Sequence, residues 1–112
     1  MSLQTPAQVT FHQTEHSDSL EADIRDKIDE LAALYDGVVS CRVVVEHEHF
    51  DRKEQGPVAV RFELGLSGGK RIVGAGTGTQ NDEHVDASTA TRAAFEATKR
   101  QLRDYVDRRR AV

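Results

Sequence analysis

The chain has few of the features that mark exported or membrane-bound proteins. It has a single cysteine, Cys41, in 112 residues, so no disulfide can form within one chain. No stretch approaches the roughly 20 consecutive apolar residues that a membrane-spanning helix needs. The first residues also lack the charged start and apolar run of a secretory signal. These absences predict a reducing, cytoplasmic setting and no membrane partner.

Length and charge limit the organisation and the partners of the chain. A length of 112 residues is typical of one domain, so we expect residues 1–112 to share one hydrophobic core. The net charge of −4 by itself argues against a nucleic-acid partner. However, residues 1–50 carry three basic and ten acidic residues, whereas residues 88–112 carry seven basic and three acidic ones. The basic charge is therefore concentrated at the C-terminal end.

Alternating apolar and polar residues predict four strands. The first three lie at residues 8–12, 38–48 and 58–66, and the third has Phe62 at its centre. In the second strand, Val39, Cys41, Val43 and Val45 fall on one face, which predicts an inert, buried thiol at Cys41. The Ser67-Gly68-Gly69 turn predicts a hairpin into a short fourth strand at residues 70–75. We expect the glycine- and threonine-rich stretch 74–82 to be a flexible loop.

Two helices complete the predicted fold. Apolar residues at helical spacing begin after Ser17 and end before Gly37, a glycine suited to a left-handed turn. The second helix should run from about Val85 to Arg109, with small residues that allow a close approach to the sheet. The order β-α-β-β-β-α predicts an α+β, two-layer fold. In its four-stranded mixed sheet, strands one and two are parallel, strands two, three and four form an antiparallel meander, and both helices lie on one face.

Two segments of the sequence are the most informative for comparison with known protein families. One is Cys41-Arg42-Val43-Val44-Val45-Glu46 in the second strand. The other is the second helix, which reads His84-Val85-Asp86-Ala87-Ser88-Thr89-Ala90, then Ala93-Ala94-Phe95-Glu96-Ala97, then Arg100-Gln101-Leu102. In element order, length and these segments, the chain resembles a short member of the ribosome hibernation-promoting factors. That family includes the ribosome-associated inhibitors of the protein Y type and the sigma-54 modulation proteins; its long members add a C-terminal dimerisation domain.

The resemblance implies a protein that binds the small ribosomal subunit and is not an enzyme. Family members occupy the mRNA and tRNA channel near the decoding centre and block translation in idle ribosomes under stress. The fold is also similar to double-stranded-RNA-binding domains with one added strand, which read RNA by shape and phosphate. We therefore expect contacts to ribosomal RNA, and none to DNA, from basic residues of the two helices: Arg92, Lys99, Arg100, Arg103, Arg108, Arg109, Arg110, Arg25 and Lys27.

The spacing of the basic residues in the second helix supports this expectation. Arg92, Lys99, Arg103 and Arg110 are separated by near-whole numbers of helical turns, so they share one face. A row of cations suits a phosphate backbone, and arginine can bind phosphate through a bidentate fork. The alternative is a solvated face stabilised by ion pairs four residues apart, Glu96–Arg100 and Asp104–Arg108.

Two further functions stay open. The first is a diverged relative that acts as a protein-interaction or dimeric stress module. Its support is the acidic first helix together with Ser88 and Thr91, which stand where the family has a tyrosine and an apolar residue. The second is a small metal- or ligand-binding protein built on the loop 74–78 and on residues of one strand end: His47, Glu48, His49 and Asp51.

The residue types and their spacing do not favour either metal binding or catalysis. Two histidines two positions apart share a strand face, but they are not a four-ligand set. The glycines of residues 74–78 lack the strand-to-helix placement of a dinucleotide loop. No residues assemble an acid, a base and oxyanion donors. We therefore predict no catalytic residues, no metal and no cofactor.

Overall fold

The computed structural model describes residues 3–47, 58–78 and 87–110. The chain forms two helices and one sheet with strand order β1-β2-β3-β4, in which β1 and β2 are parallel and the other neighbours antiparallel. This arrangement confirms the predicted α+β class, element order and mixed sheet. The elements are β1 (Gln8–His12), α1 (Asp18–Leu34), β2 (Val38–His47), β3 (Val58–Leu66), β4 (Arg71–Gly78) and α2 (Ala87–Arg110).

The hydrophobic core lies between the sheet and both helices. In β3 every second residue is buried and the residues between are half-buried, as its alternation predicts. Phe62 is 0% exposed at the centre, with its ring centroid 6.2 Å from that of Phe95 in α2. The buried members from the helices are Ile24, Ile28, Leu31, Ala90, Ala94, Phe95 and Leu102.

The start of α1 follows its sequence signal and its end does not. Ser17 is the N-cap, and its hydroxyl accepts a hydrogen bond from the Leu20 amide at 3.2 Å, which satisfies one of the unpaired amides of the first turn. The helix ends at Leu34, followed by an extended Tyr35. Gly37 does not adopt the left-handed conformation predicted for it. Its lack of a side chain instead leaves room for the Tyr35 ring, which a Cβ at position 37 would overlap.

The strand β4 extends beyond its predicted end at Ala75 and continues to Gly78, so the prediction of a loop from residue 74 was wrong there. The reason is the close packing of α2 against this strand. A Cβ at Gly74 would lie 2.6 Å from the Thr98 amide nitrogen, and one at Gly76 would lie 2.6 Å from the Ala94 amide nitrogen. These glycines serve close approach rather than flexibility. The remainder of the predicted loop, residues 79–82, lies outside the described residues.

A register shift at the start of β2 changes the predicted face of one residue. The pairing with β3 is irregular between Val38 and Ser40. As a result Val38 belongs to the core, 4% exposed, whereas Val39 is half-buried and lies outside the core cluster. Beyond the shift, Cys41, Val43 and Val45 are buried as predicted. A bulge of this kind reverses the facing of side chains, which alternation alone does not reveal.

The first prediction concerns the centre of β3. Phe62→Ala should lower the free energy of unfolding by about 3–5 kcal/mol, because it removes a fully buried aromatic ring and leaves a cavity. Denaturant unfolding measures the change. Val73→Ala, at a position 44% exposed in the same sheet, is the control and should stay within about 0.5 kcal/mol. Equal midpoints for both variants would contradict the core assignment.

A second prediction tests the approach of α2 to β4. Gly74→Ala should destabilise the protein by about 1–3 kcal/mol, since the added methyl group meets the backbone of Thr98. Gly65→Ala should cost less, because its close neighbour is the Ser40 hydroxyl, a side-chain group able to rotate away. Thermal unfolding of the two variants side by side gives the comparison. A Gly74→Ala protein as stable as wild type would refute the close contact.

A third prediction concerns the thiol. Burial raises the pKa of Cys41 to about 12 from its ordinary value of 9.0, with a smaller contribution from the Glu63 carboxylate. Because the thiolate is the reactive form, Cys41 should resist a chromogenic thiol reagent in the native protein and react once the chain is unfolded. The unfolded thiol ionises first, so stability should also decline as pH rises above about 9. Rapid labelling of the native protein at neutral pH would contradict the burial.

Candidate nucleic-acid interface

The solvent-facing side of α2 carries an exposed row of arginines. The sequence places seven basic residues in this helix, and the inward side is taken by small and apolar residues that pack on the sheet. From Arg92 to Arg110 the helix axis spans about 27 Å. The exposed arginines of α2 that have no hydrogen-bond or ion-pair partner among the described residues, here named the α2 arginines, are Arg92, Arg100, Arg103, Arg108 and Arg110.

The α2 arginines are not neutralised by neighbouring acids. Among the described residues, none of the five has a carboxylate oxygen within 4.0 Å. In particular, the pairs Glu96–Arg100 and Asp104–Arg108, which a merely solvated face would use, do not form. The guanidinium groups therefore remain available to an external anion without the loss of an internal ion pair.

Two predicted contact residues instead hold the helices together. Lys99 donates to the Glu30 carboxylate of α1 at 2.9 Å and lies 5.5 Å from the Phe95 ring centroid. Lys27 donates to Asp23 at 2.9 Å and lies 5.7 Å from the same ring. Both side chains are about four-fifths buried, with 20% and 21% exposure. These ammonium groups stabilise the junction of α1 and α2 through cation–π and ionic contacts.

Arg25 and Arg109 are also engaged within the protein. The Arg25 guanidinium donates to Glu21 at 2.9 Å and to the Ala7 carbonyl at 3.4 Å, on the side of α1 that faces the N-terminal segment. Hydrogen bonds from His16 and then Arg25 lower the pKa of Glu21 below its ordinary value. Arg109 donates to the Tyr105 hydroxyl at 3.3 Å and lies over its ring. The structure thus does not bring Arg25 into the α2 surface.

An acidic helix lies beside the basic one. Six of the eight charged residues of α1 are acidic, and the Lys99–Glu30 pair links the two helices. Asp26 and Asp29 are exposed on α1, and Asp29 lies beside Arg25 on the side that faces the N-terminal segment. The acidic residues of α1 add negative potential to the neighbourhood of α2, which opposes the approach of a polyanion.

The residues that depart from the family pattern are accommodated in α2. Ser88 is exposed at the first turn, whereas Thr91 is 0% exposed. The Thr91 hydroxyl donates to the Ala87 carbonyl at 2.7 Å, so no polar group is left unsatisfied in the core. The preceding His84, Val85 and Asp86 lie outside the described residues.

The structure describes only some of the residues behind the metal and ligand alternatives. His47 is 5% exposed at the end of β2, and Glu48, His49 and Asp51 lie outside the described residues. Within the described ranges no group of three or more histidine, cysteine, aspartate or glutamate side chains could hold a metal ion. The glycines from residue 74 to 78 belong to β4, not to a loop. No helix of the described chain is long and apolar enough to cross a bilayer.

Two basic residues at the sheet end were missed by sequence reasoning. Lys70 and Arg71 lie in a segment whose charges nearly cancel, so composition gave no reason to select them. The hairpin turn brings them next to the last turns of α2, where they line a cleft of about 190 Å³ with Tyr105 and Arg108. The Ser67-Gly68-Gly69 turn was the available signal, since it places whatever follows it at the sheet end.

Comparison with known proteins agrees with this structure. Similar solved structures include the N-terminal domain of Thermus thermophilus protein Y, with a TM-score of 0.66 and 17% identity over 94% of this chain and 99% of that one. A ribosomal subunit interface protein from Coxiella burnetii has a TM-score of 0.69 and 14% identity over 90% and 97% of the two chains. At these identities the likeness shows the fold alone. A comparison with curated proteins gave no match.

The sequence itself shows the family. Residues 7–110 match the family model described as sigma 54 modulation protein / S30EA ribosomal protein. This is a family of ribosome-associated modulation proteins and not of enzymes. Because the match covers nearly all of the chain and the fold agrees with it, the chain belongs to the sigma 54 modulation protein / S30EA ribosomal protein family.

Proposed function

We propose that this protein binds the small ribosomal subunit in the cytoplasm, lays α2 against ribosomal RNA near the decoding centre and blocks translation sterically. The observation that carries the proposal is the set of exposed α2 arginines, which have no ion-pair partner among the described residues, in a chain of net charge −4. Like charges that lie close together on one helix repel each other. A polyanionic partner offsets that repulsion.

Arginine suits this partner for geometric and solvation reasons. Its planar guanidinium binds phosphate oxygens through two parallel hydrogen bonds and is more weakly hydrated than an ammonium group. The row spans about 27 Å, enough to follow several phosphates. Each neutralised phosphate also releases condensed counterions, which makes the affinity depend steeply on salt.

Among the predicted contacts, the α2 arginines are more readily available to RNA than the lysines are. Lys99 and Lys27 remain predicted RNA contacts, but each must first leave a carboxylate and the Phe95 ring. Arg25 must leave Glu21 in the same way. The last-turn residues Arg108, Arg109 and Arg110 also complement the partial negative charge at the helix C-terminus, so part of their role is internal.

The position near the decoding centre rests on the family resemblance of β2 and α2. Steric exclusion needs only a rigid domain in the mRNA and tRNA channel and no chemical step. The acidic α1 is the observation that favours the second candidate, a relative acting on another protein. Its negative face would repel RNA on one side of α2 and would suit a basic protein partner.

The fourth prediction tests the α2 surface. Wild-type protein should pellet with purified small ribosomal subunits at low salt, and Arg100→Gln/Arg103→Gln should weaken binding by about tenfold or more. The slope of log affinity against log salt should also fall by about 1 for each arginine removed. The control is Arg61→Gln, which removes positive charge from an arginine that is already paired with Glu63 and is not among the predicted contacts. The control should bind nearly as wild type does.

A reciprocal variant completes this experiment. Asp26→Asn/Asp29→Asn should strengthen binding at low salt, because it removes negative charge from the neighbouring helix α1. Unfolding midpoints confirm that each variant is folded, since exposed substitutions usually stay within about 0.5 kcal/mol. If Arg100→Gln/Arg103→Gln binds like the Arg61→Gln control, α2 is not the contact. If wild type stays in the supernatant at low salt, the ribosomal proposal fails and the protein-interaction candidate replaces it.

A further inference from the structure

A second cationic surface lies at the end of the sheet, where the β3–β4 hairpin meets the last turns of α2. Lys70 and Arg71 on one side and Arg108 on the other border the cleft of about 190 Å³ described above. These residues are far apart in sequence, and only the folded chain brings them together. We call Lys70, Arg71 and Arg108 with their cleft the hairpin cleft.

The hairpin cleft continues onto the open face of the sheet, the face that the helices do not cover. Lys70 and Arg71 also line a second, shallow depression of about 440 Å³, which includes Arg42 of β2. Arg42 and Lys70 are exposed and form no ion pair among the described residues. Lys70 and Arg71 therefore form a ridge between cations of α2 on one side and Arg42 on the other.

The backbone around the hairpin cleft is held in place by short hydrogen bonds. The Leu66 amide donates to the Lys70 carbonyl at 2.8 Å, and the Gly69 amide donates to the Leu66 carbonyl at 3.1 Å. Gly68 and Gly69 take the positive φ values, 90° and 92°, that this tight turn requires. On the other side the side-chain amide of Gln101 donates through Nε2 to the Val73 carbonyl at 2.7 Å and fastens α2 to the edge of β4. The backbone that carries these cations is therefore ordered before any ligand binds, which lowers the entropy cost of binding.

Acidic residues near this surface only partly neutralise it. Asp104 borders the hairpin cleft and makes no ion pair with Arg108. Glu63 accepts from Arg71 at 3.2 Å, but it also accepts from Arg61 at 2.7 Å, and the Arg71 side chain is 68% exposed. The four cations therefore face only two carboxylates, Asp104 and Glu63, and Glu63 is shared with Arg61. The four cations are Lys70, Arg71, Arg108 and Arg42.

We propose that the hairpin cleft binds the phosphate backbone of RNA and turns the bound strand from α2 across the Lys70–Arg71 ridge toward Arg42. The inference rests on the proposed function, because it extends the same RNA contact around the end of the domain. A continuous row of cations favours one polyanion over separate ligands, since its phosphates are bound together. This contact would fix the orientation of the domain on the RNA, because a contact through α2 alone would still allow the domain to rotate about that helix.

The test compares variants of matched charge. Lys70→Gln/Arg71→Gln should lower the affinity for purified small ribosomal subunits by about tenfold and the salt slope by about 2, and Arg71→Gln alone should lower the slope by about 1. Arg61→Gln is again the control, because it removes the same charge as Arg71→Gln and also takes one arginine partner from Glu63. Arg61 lies about 13 Å along the strand direction from Arg71, judged by its pairing with Ala75. The control should keep its affinity and its slope.

The outcomes separate this inference from the proposed function. If Arg100→Gln/Arg103→Gln weakens binding but Lys70→Gln/Arg71→Gln matches the control, the hairpin cleft is refuted and the α2 surface stands. If wild type does not bind subunits at all, both are refuted. Protein-free small-subunit ribosomal RNA is the second probe. A Lys70→Gln/Arg71→Gln protein that loses affinity for subunits yet binds this RNA like wild type would assign the cleft to a ribosomal protein and overturn the RNA contact.

A site-directed cleavage experiment locates the hairpin turn on the RNA, and its result does not depend on the folding of the charge variant. Cys41 is the chain's only cysteine and is buried with a raised pKa, so Ser67→Cys gives one selectively reactive thiol at the exposed hairpin turn. A hydroxyl-radical source attached there should cleave ribosomal RNA in the bound complex at a defined position. Bound protein that produces no cleavage from this site would overturn the proposal.

Discussion

The close packing of α2 on β4 is the constraint on which the rest of this structure depends. Neither Gly74 nor Gly76 has room for a Cβ, because the backbone of α2 lies against the strand at Thr98 and Ala94. Small residues on the facing surfaces of α2 and β4 allow this approach. The contact is stabilised by dispersion forces, which are strongest between atoms that are close together. The rotation of the helix is thereby set: Ala90, Ala94 and Thr98 face inward, and the α2 arginines face solvent. The same contact carries the last turns of α2 to the β3–β4 hairpin.

The environment of each basic residue, more than its residue type, decides its role. Lys27 and Lys99 flank Phe95 and pair with carboxylates, so they stabilise the junction between helices. Arg100 and Arg103, on the same helix as Lys99, project into solvent with no acidic partner among the described residues. A paired, mostly buried ammonium must lose internal contacts before it binds phosphate, whereas an exposed guanidinium exchanges only water and counterions.

The distribution of charge explains how an acidic protein can carry the surface that we propose for RNA. The negative charge lies mainly on α1, and the positive charge lies on α2 and around the hairpin. Over distances longer than the Debye length of about 8 Å at physiological ionic strength, these fields are screened. In the proposed complex, a bound strand would therefore respond to the nearest cations, and the net charge of the chain would matter little. The acids of α1 would limit the affinity.

Local patterns in the sequence determined most of the fold. Alternation placed β3 and Phe62, helical spacing placed α1, and the Ser67-Gly68-Gly69 turn placed the hairpin, because each signal acts within a few residues. Family resemblance also came from sequence, through β2 and α2. The length of β4 did not, since Gly74 and Gly76 are indistinguishable from loop glycines until a helix is known to lie on them. The same applies to the bulge near Val39 and to the Gly37–Tyr35 contact.

The candidate site divides in the same way. The sequence alone located the basic helix, because its charge and periodicity are local properties. Only the tertiary structure separated the engaged Lys27, Lys99 and Arg25 from the available α2 arginines, and only it joined Lys70 and Arg71 to Arg108. Ion pairs, cation–π contacts and clefts form between segments distant in the chain. Their existence depends on how elements pack, and no local pattern encodes it.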